Sequence, residues 1–143
     1  MSTPAPTHRE VENLPLLIAS IMLATLMQVV DTTIANVALP HMQGSLAATQ
    51  DQISWVLTSY IVAAAIATPA TGWLAGKLGR KHLLTIAIAG FTFSSILCGI
   101  ATNLDQMVAF RLLQGLFGAS LVPISQSTLL DSFRSEARRV GKE

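Results

Sequence analysis

The chain has 143 residues, of which 51% are hydrophobic and 12% are charged, and its net charge is +1. Soluble globular domains carry roughly 25% charged residues, so this chain has too little polar material to cover a surface that faces water. The small net charge argues against nucleic acid as a partner. A single cysteine, Cys98, excludes an internal disulfide, and no His, Cys, Asp or Glu group has metal-ligand spacing. We therefore expect no metal and no other cofactor.

Four long apolar segments follow one another along the chain, at residues 14–39, 53–75, 83–102 and 107–130. Each reaches the roughly 20 residues with which an α-helix crosses about 30 Å of hydrocarbon. Core helices of a soluble bundle would need polar outer faces that these segments lack, and no strand-like alternation persists. The sequence therefore predicts an all-α integral membrane protein with four transmembrane helices.

The distribution of Lys and Arg predicts the orientation of these helices. Positive residues precede the first segment, lie between the second and third, and follow the fourth, at Arg9, Lys77, Arg80, Lys81, Arg134, Arg138, Arg139 and Lys142. The two other connections, 40–52 and 103–106, contain no Lys or Arg. By the positive-inside rule, we expect the segment 1–13 and the tail 131–143 to be cytoplasmic.

Two charged residues remain inside the predicted spans, Asp31 in the first and Arg111 in the fourth. An ionisable side chain in the hydrocarbon costs about 2.5 to 3.5 kcal/mol on insertion scales and usually faces the bundle interior with a partner. One interpretation is a buried ion pair that only fixes helix packing. The other, which we favour, is proton coupling, in which Asp31 titrates and Arg111 serves as a fixed cation.

Polar and small residues extend from these charges along the same helix faces. Gln28 lies one turn from Asp31, and Gln114 lies one turn from Arg111. Because glutamine is costly to bury in lipid, we predict that Gln28, Gln114 and Gln126 line a water-accessible substrate cavity. Gly115 and Gly118 are predicted to let the fourth helix approach a neighbour closely.

The connection at residues 72–84 is the most specific local signal. Gly76 and Gly79 are predicted to permit a tight reversal between two spans. Lys77, Arg80 and Lys81 are predicted to anchor this hairpin at the anionic lipid of the inner membrane surface.

The detailed spacing of these segments resembles the major facilitator superfamily and, within it, the fourteen-span drug:proton antiporters of the EmrB/QacA type. Residues 72–84 are similar to the signature G-x-L-a-D-[RK]-x-G-[RK]-[RK]-x-x-[LI], except that Gly76 stands at the acidic position. Residues 31–40 are similar to the first-span signature D-x-T-I-x-N-V-A-L-P. Residues 110–119 resemble the fourth-span R-x-x-Q-G motif, and residues 53–60 resemble the start of the second span.

The resemblance implies an amino-terminal part of a secondary transporter in a bacterial inner membrane, that is, a plasma membrane. Such a protein exports hydrophobic, often cationic organic compounds in exchange for protons, and Arg111 takes part in proton coupling. The resemblance adds Asn36, Trp55, Thr58 and Tyr60 to the expected cavity lining. It also implies a gating role for the 72–84 hairpin, with Gly72, Gly76, Lys77, Gly79, Arg80 and Lys81 as its gating residues.

By analogy with EmrB, a periplasmic adaptor and an outer-membrane channel are expected partners. Members of the family have twelve or fourteen spans, so we expect the chain to be a truncated part whose tail, 134–143, departs from the family pattern. The alternatives are a non-transporting membrane module that assembles through its small-residue faces, and an inactive truncated gene product. An enzyme is a distant third possibility, because no nucleophile and base pair and no cofactor motif are present.

Overall fold

A computed structural model describes residues 14–141 of the chain. These residues form four α-helices, α1 (Leu14–Ser45), α2 (Gln50–Leu78), α3 (Arg80–Gly99) and α4 (Leu104–Val140). All four are long and apolar enough to cross a membrane, and the described part of the chain contains no strand. The predicted all-α membrane fold with four transmembrane helices is confirmed. The predicted cytoplasmic segment 1–13 lies outside the described residues.

The helices do not begin and end where the apolar segments do. α1 continues to Ser45 through Pro40, which removes one backbone hydrogen bond without ending the helix. α3 begins earlier than predicted, at Arg80, and ends at Gly99. α4 extends to Val140, so most of the predicted tail is helical. The stretches that extend α1, α3 and α4 beyond the apolar segments are polar or basic. Hydropathy identifies the apolar part of a helix and does not identify the residue at which the helix ends.

The connection between α2 and α3 consists of Gly79 alone, whose φ of 81° is a left-handed conformation that glycine adopts without strain. Gly79 also donates its backbone N–H to the carbonyl of Ala75 and so closes the last turn of α2. Gly76 lies inside α2, and the prediction that it helps the chain to reverse is wrong. A single residue with positive φ is enough for the reversal.

The other two connections are held by side chains that cap the following helix. Thr49 accepts a hydrogen bond from the backbone N–H of Gln52, and the Gln52 side chain accepts one from the N–H of Thr49. This reciprocal capping box starts α2. At the start of α4, Asn103 Oδ1 accepts from the N–H of Gln106. Both caps lie at the same end of the bundle, opposite Gly79.

α4 is the central helix of the bundle. Half of its spanning stretch is buried against the other helices, compared with 11% for α1. The main apolar core joins all four helices and includes Ile21, Tyr60, Phe91 and Leu121. α1 presents many large apolar side chains outward, which suits a helix that faces lipid or other membrane helices.

Two glycines let α4 pack closely on α2. A Cβ atom at Gly115 would lie 2.4 Å from the carbonyl oxygen of Tyr60, and one at Gly118 would lie 2.7 Å from the Tyr60 hydroxyl. Cβ atoms are not found at such distances, so a side chain at Gly115 would force the two backbones apart and one at Gly118 would displace the Tyr60 hydroxyl. The close packing places the next turn of α4, which carries Arg111, directly against α2.

Candidate functional site: a buried ion pair and its neighbours

Asp31 of α1 and Arg111 of α4 form a buried ion pair. Arg111 Nη1 donates to Asp31 Oδ2 at 2.7 Å. The Arg111 side chain is 4% exposed and the Asp31 side chain is 17% exposed. The cation is therefore sealed within the bundle, whereas the carboxylate keeps a partial opening to its surroundings. Charge-assisted hydrogen bonds of this length are among the strong ones in proteins.

Gln114 completes the contacts of this pair. Its Nε2 donates to Asp31 Oδ1 at 2.8 Å, and its Oε1 accepts from Arg111 Nη1 at 2.7 Å. Gln114 is fully buried and lies three residues after Arg111, so both side chains leave the same face of α4. We refer to Asp31, Arg111 and Gln114 as the ion-pair cluster. Within it, each carboxylate oxygen accepts one hydrogen bond.

α2 contributes two further contacts to the guanidinium of Arg111. Its Nε donates to the carbonyl oxygen of Val56 at 3.4 Å. Its Cζ lies 4.7 Å from the centroid of the Tyr60 ring, a cation–π contact between buried groups. The cation is thus held by α1, by α2 and by its own helix.

A second polar group lies beside the cluster and ties α1 to the rest of the bundle. Gln28 Nε2 donates to the Tyr60 hydroxyl at 3.0 Å and lies 3.4 Å from the carbonyl oxygen of Gly118. Gln28 and Asp31 are one helical turn apart, so one stripe of α1 carries both contacts. Gln28 and Asp31 thus attach α1, the least buried helix, to α2 and α4 by polar contacts.

Three buried side-chain atoms among the described residues have no hydrogen-bond partner, namely Gln28 Oε1, Arg111 Nη2 and Ser125 Oγ. Buried polar atoms are normally paired, because an unpaired one keeps its full desolvation cost. Arg111 Nη2 belongs to the cluster and Gln28 Oε1 to the side chain one turn from Asp31. The site therefore holds an unused donor and an unused acceptor.

The structure brings together five of the residues predicted for coupling or cavity lining: Asp31, Arg111, Gln28, Tyr60 and Gln114. Four other predicted cavity residues are exposed on the helix surfaces and outside this site: Asn36, Trp55, Thr58 and Gln126. Asn36 and Thr58 donate to carbonyls of their own helices. These four side chains point away from the other described helices, and their role in lining a cavity stays a prediction.

Cys98 of α3 is a neighbour of the site that the sequence did not indicate. Its Sγ lies 3.7 Å from Gln114 Oε1, within the range of a weak thiol hydrogen bond. A lone cysteine in an apolar segment carries no pattern, and this contact depends on how α3 is rotated against α4. No hydropathy or motif argument would have found it.

The predicted hairpin residues lie at the opposite end of α2 and α3 from the caps. Arg80, the first residue of α3, forms an exposed ion pair with Asp131 of α4. Lys77 Nζ lies 4.5 Å from the centroid of the exposed Trp73 ring. Gly72 and Gly76 lie within α2 and have open space around them. Asp131 was not singled out from the sequence, because it follows the apolar segment and belongs to no quoted motif.

The chain is similar to known membrane transport and resistance proteins. The family model of the Major Facilitator Superfamily matches residues 21–141. The chain is 51% identical over 114 residues to the fatty acid resistance protein FarB of Neisseria gonorrhoeae, covering 80% of the chain and 22% of that protein. It is 44% identical over 137 residues to the probable multidrug resistance protein EmrY of Escherichia coli K12, covering 96% of the chain and 26% of that protein.

A third relative is similar to the chain over a comparable length. The chain is 46% identical over 123 residues to the multidrug export protein EmrB of Haemophilus influenzae, covering 86% of the chain and 24% of that protein. The chain thus spans about a quarter of the length of the curated relatives that it matches. The matched region includes all five residues of the site described above.

Proposed function

Because the chain belongs to the Major Facilitator Superfamily and resembles its EmrB-type drug exporters, we propose that the protein exports hydrophobic organic compounds in exchange for protons. The observation that carries this proposal is the buried ion-pair cluster of Asp31, Arg111 and Gln114. It joins a titratable group and a permanent cation across two helices. Neither enzymatic chemistry nor a cofactor is part of the proposal.

Proton uptake by Asp31 would change the cluster in a defined way. The ionised carboxylate only accepts hydrogen bonds, and it accepts from both Arg111 and Gln114. Protonation turns one oxygen into a donor and removes the charge that Arg111 faces. Losing one partner of a buried pair costs about 3 to 5 kcal/mol. Such a cost favours a rearrangement of α1 against α4 whenever Asp31 gains or loses its proton.

α1 is the helix for which such a rearrangement disturbs the least packing. It has the smallest buried fraction of the four spanning helices. Its polar contacts with α2 and α4 come from Gln28 and Asp31, one turn apart. A change of charge at Asp31 therefore acts on the helix that is held most lightly. This is the physical link that we propose between proton movement and alternating access.

The substrate class follows from the relatives and from the apolar surroundings of the carboxylate. Two relatives are named for multidrug export or resistance and one for fatty acid resistance. Leu26, Val30, Ile34 and Phe91 surround Asp31 in a shallow groove between α1 and α3. An apolar wall with one carboxylate suits hydrophobic compounds, cationic ones in particular. A fatty acid would have to be accommodated with Asp31 neutral.

Orientation and gating belong to the same proposal. Lys77, Arg80 and Lys81 lie at the end of the bundle that also carries Asp131, and we propose that this end is cytoplasmic. The Arg80–Asp131 ion pair would serve there as a contact of the gating hairpin, in place of the acid that Gly76 does not supply. By analogy with EmrB, a periplasmic adaptor and an outer-membrane channel remain the proposed partners.

The proposal is tested with the full-length protein in proteoliposomes and an imposed pH gradient. Ethidium serves as the cationic substrate and oleate as the fatty acid. Asp31→Asn keeps the size of the side chain but cannot titrate, so it should abolish uphill export of ethidium while the protein still inserts. Asp51→Asn, at the exposed start of α2, is the matched control and should export normally.

Export by Asp31→Asn at the parental rate would leave the ion pair with a structural role only. In that case the pair fixes the packing of α1 on α4, and proton coupling must reside elsewhere in the protein. Absence of ethidium and oleate export from the parental protein itself would instead favour a membrane module without transport activity.

A further inference from the structure

The contact between the Tyr60 ring and the Arg111 guanidinium lies beside the ion pair and takes no direct part in the proposed proton exchange. Tyr60 is 7% exposed, and the guanidinium carbon of Arg111 lies 4.7 Å from its ring centroid. A ring face attracts a cation through its quadrupole, and the attraction is larger when both groups are removed from water. The ring is therefore a permanent, uncharged partner of the buried cation.

The Tyr60 ring, carried by α2, is packed between α1 and α4. Its hydroxyl accepts from Gln28 of α1 at 3.0 Å. The backbone carbonyl oxygen of Tyr60 leaves no room for a side chain at Gly115 of α4, and its hydroxyl leaves none at Gly118. A ring so placed keeps its position when a single contact around it changes. The Tyr60 ring can therefore keep its contact with Arg111 when the charge of Asp31 changes.

The charged and titratable groups that face Arg111 come from three helices: Asp31 from α1, Tyr60 from α2 and Cys98 from α3. The remaining contacts of the guanidinium are the neutral oxygens of Gln114 and Val56. Once Asp31 takes up a proton, no negative charge among these groups compensates Arg111. The Tyr60 ring is then its main electrostatic partner beyond those two hydrogen bonds.

We propose that Tyr60 is a positioning residue whose ring holds the Arg111 cation while Asp31 is neutral, and thereby sets the pH at which the exporter takes up its proton. This inference rests on the proposed proton exchange. The ring contacts the cation in both states, but it attracts the cation more strongly once Asp31 no longer neutralises the charge, so a weaker ring favours the ionised carboxylate. The pH at which proton-driven export is half-maximal should then move to lower values.

The test weakens the quadrupole of the ring with little change in its size. Phenylalanine and its mono-, di- and trifluorinated forms are incorporated at position 60 of the full-length protein, and ethidium export is measured across a range of pH. With Tyr60→Phe as the reference, the half-maximal pH should fall with each added fluorine. The full series should span about one pH unit, which corresponds to about 1.4 kcal/mol. Trifluorophenylalanine at Phe117, a partly buried ring of α4 that packs against the main core, is the matched control and should leave the midpoint unchanged.

An unchanged midpoint across the fluorinated series would overturn the inference, since packing alone does not respond to the quadrupole. A second measurement separates this failure from failure of the proposed exchange. Solid-state NMR of the protein in bilayers should show a ring-current shift of the Arg111 Nε–H resonance, identified by its loss in Arg111→Lys. The shift should persist in Tyr60→Phe and vanish in Tyr60→Leu. Its absence from the parental protein would refute the contact even if export were proton-driven.

Discussion

Arg111 and Gln114, one turn apart on α4, each donate to a different oxygen of Asp31 on α1. The same Arg111 nitrogen that donates to Asp31 also donates to Gln114, so the three side chains form a closed set of hydrogen bonds. A change in any one of them alters the bonds of the other two. Stability and export are therefore expected to respond together to substitutions in the ion-pair cluster.

Gln114→Leu removes one donor and one acceptor from this set while it keeps most of the side-chain volume. Asp31 Oδ1 then loses its donor inside the bundle, and we expect a loss of about 1 to 3 kcal/mol in the free energy of unfolding. Gln126→Leu on the same helix is the control, because Gln126 is exposed and its replacement should change stability by less than about 0.5 kcal/mol. Thermal unfolding in detergent measures both. Equal effects would show that the buried amide adds nothing to stability.

Arg111→Lys retains the positive charge but replaces a planar group that has five donors with one compact ammonium. Lysine at this position cannot reach Asp31, Gln114 and Val56 together while stacking on Tyr60. We expect normal insertion and at least a tenfold lower rate of export driven by a pH gradient, corresponding to about 1.4 kcal/mol. Arg134→Lys, on the exposed end of α4, is the control for loss of a guanidinium. A normal rate for Arg111→Lys would mean that charge alone is required.

Gly115→Ala tests the close approach of α2 and α4. The new Cβ would meet the Tyr60 carbonyl oxygen at 2.4 Å, so the helices must separate, and we expect a loss of about 1 to 3 kcal/mol in stability. Gly44→Ala in α1 meets no atom within 4 Å and should be neutral or stabilising by up to about 1 kcal/mol. The comparison uses thermal unfolding of the two variants. A neutral Gly115→Ala would contradict the described packing.

Thiol labelling tests the orientation of the helices in cells. In a Cys98→Ala background, Ser45→Cys should react with an impermeant maleimide from outside, and His82→Cys should not. Both positions are exposed in the structure, at opposite ends of the bundle, so protection of only one reflects the membrane rather than burial. The reverse labelling pattern would place the basic hairpin outside and overturn the positive-inside assignment.

Charge reversal at the exposed end tests the Arg80–Asp131 ion pair. The two side chains are 51% and 57% exposed, so the pair should contribute no more than about 1 kcal/mol to stability. Its proposed role is in gating, so Asp131→Arg should alter export more than unfolding. The double variant Arg80→Asp with Asp131→Arg should restore export at least in part. A double variant no better than the single one would remove the pair from the gating proposal.

Hydropathy and composition were sufficient to predict the number and order of the helices, because each span is long and almost free of charge. The two exceptions, Asp31 and Arg111, stood out for the same reason, and their contact follows from the cost of burying either one alone. Motif spacing was sufficient for the family. Hydropathy, charge and motif spacing are all read along the sequence, and none of them depends on how each helix is rotated about its axis.

The remaining features of the site depend on that rotation. Tyr60 and Trp55 belong to one apolar segment, yet Tyr60 supports Arg111 while Trp55 is 58% exposed. Gln114 and Gln126 lie twelve residues apart on α4, which places them about 120° apart around the helix, but this spacing does not say which of the two faces inward. Cys98 contacts Gln114 through the packing of α3 on α4. Periodicity assigns neighbours within a helix, but it does not assign neighbours between helices.

The single-residue connection at Gly79 has a mechanical consequence. With one residue between them, the Gly79 ends of α2 and α3 must move together, and α2, at 29 residues, is roughly 43 Å long. A tilt of about 10° at the Gly79 end would displace the far end of α2 by roughly 7 Å. The connection from α1 to α2 has four residues, which can extend to roughly 14 Å and leave α1 free to slide. In the proposed exchange, a tilt of α2 would thus carry the adjoining end of α3 with it, while the longer connection would let α1 respond separately to the charge of Asp31.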